Sequence, residues 1–274
     1  MIAHLNPSDA LTSPRSARVS AVRSLQQRRH RAARGAFVVE GPQVVQAADR
    51  RRSIRELYIT EDAAAAHPHL VGSALDGGAR VVAMTEPVAR AMAETENPQG
   101  VIAVCSLVAR SWSQYPCPTG GERAGILVLL DRVSDPGNAG TIIRTADAAG
   151  ACAVVFTPGS VDPHNGKCVR ATAGSIFDVP IFTDVPASQV LAQARAAGVT
   201  TLAADGRADL VLGTAEASAV LSGDIAWVFG NEAHGVDPQI AADVDARIAI
   251  PIRGGAESLN LAAAAAICLY APIL

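Results

Sequence analysis

The chain has 274 residues, 49% of them apolar, and a formal charge of −3. It is long enough for two ordinary domains, each with its own core. The longest apolar run, Leu259–Leu274, is broken by Asn260 and Pro272. It falls short of the ~20 residues a membrane span needs, so it reads as a core helix and no membrane partner is expected.

The N-terminus, MIAHLNPSDALTSPRSAR, lacks the apolar block of a signal peptide, which leads us to expect a cytoplasmic protein. Residues 1–55 hold eleven Arg against Asp9, Glu40 and Asp49, so the remainder carries the compensating negative charge. Arginines 23, 28, 29, 31 and 34 crowd the stretch RSLQQRRHRAARG, read as part of one basic helix from about Arg15 to Arg34. The planar guanidinium pairs bidentately with phosphate, so Arg28, Arg29, Arg31 and Arg34 are candidate RNA contacts.

A strand AFVVE, a turn at Gly41–Pro42 and a helix through QVVQAADRR come next. The strand ELYIT, an Ala-rich helix, the strand RVVAMT, the helix EPVARAMA and the strand GVIAVC follow. This alternation predicts a small α/β domain closing near Ser106. The H-P-H at His67–His69 has no partner cluster and reads as a solvated turn, not a metal site. The stretch Ala109–Gly125 is rich in Gly, Pro and Ser, and a linker is expected over 107–124. The five cysteines (Cys105, Cys117, Cys152, Cys168, Cys268) are odd in number and show no C-x-x-C spacing. Free thiols are expected, without disulfide or zinc.

From residue 125 the strands GILVLL, CAVVF, DVPIF, TTLAA, DIAWVFG and ARIAIPI alternate with helices. Their unalternated apolar character predicts a parallel sheet covered on both faces, with ligands bound in the loops at the strand ends.

Three of those loops carry chemistry. In DPGNAGTIIRTADAAGA, Asn138 reads as a helix N-cap, Gly140 as a bare spot in the first turn and Gly150 as the residue ending the helix. Helical side chains lean towards the N-terminus, so Arg144 should reach back over Gly140 to the loop of Asn138. In VFGNEAHGVDP, Gly230 permits a close backbone approach and Glu232 places a carboxylate at a strand's end, whereas His234 lacks an orienting partner. In IPIRGGAESLNLAAAAA, a glycine pair beside Arg253 precedes a helix that Ser258 would cap. Neither G-x-G-x-x-G nor G-x-x-x-x-G-K-[ST] occurs, which argues against a nucleotide-binding oxidoreductase or a P-loop enzyme.

Taken in order, NAGTIIR (Asn138–Arg144), FGNEAHG (Phe229–Gly235) and IPIRGGAESLNLAAA (Ile250–Ala264) resemble the three motifs of the SpoU family of RNA ribose 2′-O-methyltransferases, within the SPOUT class. FVVEG (Phe37–Gly41) after a basic helix resembles that family's L30e-like RNA-binding domain. The arrangement is most similar to the thiostrepton-resistance branch acting on large-subunit ribosomal RNA. The resemblance implies an α/β fold: an L30e-like domain over 1–106, then a parallel-sheet catalytic domain over 125–274 with a C-terminal trefoil knot. It also implies a homodimer, RNA as partner, no metal, and S-adenosylmethionine held by Gly230, Asn231, Gly235, Ile250 and Leu259. Arg144, Asn138, Glu232, Ser258 and Asn260 become the catalytic candidates. KCVRATAG (Lys167–Gly174) also matches a family segment, with Lys167 and Arg170 placed to grip phosphate.

The expected activity is methylation of a ribose 2′-hydroxyl in structured RNA, with 23S ribosomal RNA favoured by the resemblance. Transfer RNA as substrate, or a non-catalytic RNA-binding ribosome-assembly protein, are the alternatives.

Overall fold

The computed structural model describes residues 10–114 and 125–273. The greater part of the expected linker, with Cys117, lies outside them. Two compact units emerge: residues up to 107 together with 164–178, and residues 108–163 with 179 onward.

The first unit begins with α1 (Ala17–Ser24) and α2 (Arg28–Arg34), where one continuous basic helix was expected. Arg31 explains the break. It is buried, and its guanidinium donates to Leu25 O (2.9 Å) and Gln26 O (2.7 Å), carbonyls that a continuous helix would have used internally. Gly35, at φ +57°, ends α2 in the left-handed region. Then come β1 (Ala36–Glu40), α3 (Pro42–Arg50), β2 (Ile54–Ile59), α4 (Glu61–Ala66), α5 (Pro68–Asp76), β3 (Arg80–Ala83), α6 (Glu86–Met92) and β4 (Val101–Ser106). The Ala-rich helix is thus two helices, parted at His67 because Pro68 cannot continue the first. The sheet order is β1-β4-β2-β3, with β4 antiparallel to both neighbours. Val19 and Val22 of α1, with Leu25 just after it, pack on Tyr58, Ile102 and Val104, and Val88 and Met92 of α6 complete that core.

The second unit is a single sheet of seven strands, all parallel. In chain order its elements are β5 (Ile126–Leu130), α7 (Pro136–Ala148) and β6 (Ala153–Phe156). The segment 164–178, with α8 (Gly166–Ala171), then packs in the first unit, where α8 meets β1. The chain resumes with β7 (Ile181–Phe182), α9 (Ala187–Ala196), β8 (Thr200–Ala204), β9 (Leu210–Val211), α10 (Ala215–Val220), β10 (Ile225–Phe229), α11 (Pro238–Asp243), β11 (Ala246–Ala249) and α12 (Leu261–Tyr270). The expected strand ARIAIPI closes early, at Ala249.

Every residue of β5, β6 and β10 is buried, as strands covered on both faces must be. One face carries α9 with Leu127, Leu129, Val155 and Val228, and α7 and α12 pack together on the other side. The strand order β7-β6-β5-β10-β8-β11-β9 reverses direction at β5/β10. There the loops after the two strands part to opposite sides and leave a crevice, the usual place for a ligand.

Candidate active site

At that crevice the loop after β5, the loop after β10 and the segment before α12 converge. Asp135, rather than Asn138, caps α7: its side chain accepts from Asn138 N at 2.8 Å, and Pro136 follows it in the first turn. This relieves Asn138 of a capping role. Its amide instead bridges the three segments, with Nδ2 donating to Glu232 Oε1 (3.2 Å) and Oδ1 accepting from Asn260 Nδ2 (3.0 Å). Asn260, not Ser258, caps α12, accepting from Ala262 N (2.9 Å) and Ala263 N (3.2 Å).

Glu232 is the anchor of the first loop. It accepts from Ser134 N (3.1 Å), Ser134 Oγ (2.9 Å) and Asp135 N (3.0 Å) besides Asn138. Burial on its own would raise its carboxyl. The backbone N–H groups of Glu232, Ser134 and Asp135 and the Asn138 amide outweigh that and hold it below the ordinary carboxylate range. A group lowered in the folded state contributes stability above its unfolded value of ~4.3, and loses it as pH falls through the lower folded value. A carboxyl-carbon NMR titration of Glu232 should therefore show a midpoint below ~4.3. A midpoint at or above that value would mean the four-donor cradle is not formed in solution.

Gly230 serves the protein's own backbone, not a ligand's: a Cβ there would collide with Gly235 and Val236. The loop closes on itself through Asn231 N to Gly235 O (3.0 Å) and Gly235 N to Asn231 O (2.8 Å), with Gly235 at φ +72°. The Asn231 side chain is engaged in the same loop. Its Nδ2 donates to Arg132 O (2.8 Å) and its Oδ1 accepts from Ala233 N (2.9 Å) and from His234. His234 is exposed.

Around this loop lies a cavity of about 590 Å³, bordered by Asn138, Gly230, Asn231, Glu232, Gly235, Ile250, Ser258, Leu259 and Asn260. Nine of the ten catalytic and cofactor candidates thus share one site. The exception is Arg144. It is exposed on α7, does not border the cavity and makes no hydrogen bond or ion pair among the described residues. Gly140 is buried instead of bare, and among the described residues no hydrogen bond runs from Arg144 back to the Asn138 loop. The sequence reading missed the wall after β8, where Asp205, Gly206 and Arg207 border the cavity. Asp205 lies 3.5 Å from Arg207 and 3.4 Å from Arg247. Its only signal was an Asp-Gly following a strand.

The phosphate candidates divide. Arg28, Arg29 and Arg34 are exposed, with Arg34 also donating to Ala21 O at 2.9 Å. Buried Arg31 presents no surface to RNA. Arg170 donates to Glu94 at 2.9 Å, so a phosphate would have to displace a carboxylate there, whereas Lys167 is exposed on α8. No group of three or more His, Cys, Asp or Glu able to hold a metal occurs among the described residues.

Residues 125–270 match the SpoU rRNA Methylase family, and residues 16–103 the MRM3-like substrate binding domain. The chain is 33% identical over 260 residues to the 23S rRNA (guanosine(2553)-2'-O)-methyltransferase RlmP of Bacillus subtilis, covering 95% of this chain and 97% of the relative. An AdoMet-bound rRNA methyltransferase from Sinorhizobium meliloti superimposes with a TM-score of 0.83 at 30% identity, over 96% of each chain. The SpoU methyltransferase AviRb of Streptomyces viridochromogenes, solved with AdoMet, gives 0.79 at 27% identity, over 94% of this chain and 97% of that one. With three converging loops in the right order and the family's model spanning all seven strands of the parallel sheet, the chain belongs to the SpoU rRNA methylase family.

Proposed function

We propose that this protein transfers a methyl group from S-adenosylmethionine to a ribose 2′-hydroxyl in large-subunit ribosomal RNA. The observation that carries this is the bridge Glu232–Asn138–Asn260, which ties the three family motifs together at the mouth of one cavity. The cavity fits the cofactor. At about 590 Å³ it lies within the range for ligands of that size, and it joins apolar walls (Ile248, Ile250, Leu259) to loop backbone that can meet an adenosine. When bound, S-adenosylmethionine supplies the methyl group from a sulfonium whose leaving group departs neutral.

The chain's own residues position and polarise the hydroxyl. Arg144 supplies a positive charge that stabilises the oxygen as its proton leaves for water. Glu232 is a poor base, with its carboxyl lowered and its oxygens already accepting four hydrogen bonds; its work is to fix Asn138 and the 134–138 loop. We assign the first unit to RNA binding and place the protein in the cytoplasm. We also assign it a trefoil knot, which the family resemblance supports, and a homodimer. The dimer is supported by α12, which consists of apolar residues and Tyr270 yet leaves Ile267 42% exposed.

Mapping 2′-O-methyl sites in ribosomal RNA from cells with and without the protein tests the activity, and identical maps would refute it. RNA binding is tested separately. Reversing Arg28 and Arg29 to Glu should weaken RNA affinity and flatten its salt dependence by a slope of about one per lost phosphate contact, with cofactor affinity unchanged. Arg31→Ala should act differently, costing about 2–3 kcal/mol of stability because Leu25 O and Gln26 O lose a charged donor. Denaturant melts of the two variants distinguish these outcomes.

A further inference from the structure

The first unit contains a second cavity, of about 280 Å³, between α1 and the sheet. Its lining is of two kinds. The buried side chains of Val22, Ala36, Tyr58 and Val104 give it an apolar wall, and Arg18, Arg34, Arg55 and Glu56 add charge. A β-bulge shapes it: Ile54 pairs with Cys105 and Glu56 with Val104, which leaves Arg55 as the extra residue. Bulges re-aim side chains, and they recur beside binding sites.

Arg55 is held at three points. Its Nε donates to Ser106 Oγ (2.9 Å), its NH1 to Arg34 O (3.0 Å) and its NH2 to Gly35 O (2.8 Å). An immobilised guanidinium is a flat platform for a base to stack on. Glu56 accepts the Tyr58 hydroxyl and keeps lone pairs for a further donor. Arg18 makes no hydrogen bond or ion pair among the described residues.

A bare phosphate would gain nothing from the apolar wall and would be repelled by Glu56. A wholly apolar ligand would leave Arg18 and the remaining lone pairs of Glu56 unused. A nucleotide satisfies all three features, and guanine alone among the bases presents two adjacent N–H donors, N1 and N2, to a carboxylate. Resting on the RNA-methylation reading above, we propose that this cavity takes one unpaired guanine of the RNA, with Glu56 reading its N–H edge, Arg55 stacking on its face and Arg18 meeting its phosphate.

The test uses the full-length protein and fluorescein-labelled seven-nucleotide RNAs, UUUGUUU, UUUAUUU, UUUCUUU and all-U, with dissociation constants from anisotropy. The guanine probe should bind about tenfold tighter than the others. Glu56→Gln, which keeps the Tyr58 contact, should erase that preference. Ala21→Leu, which fills the cavity from α1, should erase it as well, with S-adenosylmethionine affinity unchanged in both. Equal binding of the four RNAs by the unmodified protein, or a preference that survives Glu56→Gln, overturns the proposal. Methyl transfer to ribosomal RNA is assayed in parallel. A guanine preference without transfer would sink the catalytic reading and leave this site standing, and transfer without the preference would do the reverse.

Discussion

Arg144→Ala should lower methyl transfer by on the order of 10²–10³ under single-turnover conditions, the usual cost of removing a positive charge that stabilises a developing oxyanion. The fold and cofactor affinity should be unchanged. Arg144 is exposed and bonds to nothing among the described residues, so truncating it opens no cavity and strands no partner. Arg144→Lys keeps a charge but loses the planar fork, and should recover only a small part of the rate. An Arg144→Ala enzyme of near-normal rate would show that the residue lies outside the chemistry.

Gly230→Ala should be nearly as damaging for a different reason. Its Cβ would overlap backbone atoms of Gly235 and Val236, which cannot swing aside as a side chain can. The loop must open, breaking the paired bonds between Asn231 and Gly235. We expect a loss of about 3 kcal/mol in stability and at least a tenfold loss in S-adenosylmethionine affinity. Gly235→Ala is the control. Its new methyl meets open space, and the cost is the ~1–2 kcal/mol of a left-handed backbone, with the loop still closed. Calorimetry giving the two variants equal cofactor affinity would show that the close approach at Gly230 does not shape the pocket.

The strands of the second unit were legible because a strand buried on both faces is written as an unbroken apolar run, as in ILVLL and IAWVF. β9 was not, since two partly exposed residues carry no period. The motif loops were legible as a set, but not their internal bonding. Asp135 and Asn138 are both good capping residues, and only the Pro136 that follows Asp135 pointed to the right one. Ser258 and Asn260 posed the same ambiguity, decided by where the exposed segment turns into α12. Composition hid the fate of Arg31: it stands in a run of exposed arginines, and no residue type announced that its guanidinium would turn inward onto the Leu25 and Gln26 carbonyls and part the helices. Arg144 shows the converse. Its register on the helix was clear, but spacing says where a side chain starts and not what it touches.

Asn260 both caps α12 and holds Asn138, which makes the order of synthesis matter. All the strands of the described residues precede it in the chain, so a nascent polypeptide can complete the parallel sheet while the first loop still lacks its third tether. Domains fold as they emerge, at about 5–20 residues per second, and the sheet has that head start over the site. The three-way tether of the site is therefore the part of the unit that closes after the strands that carry its loops.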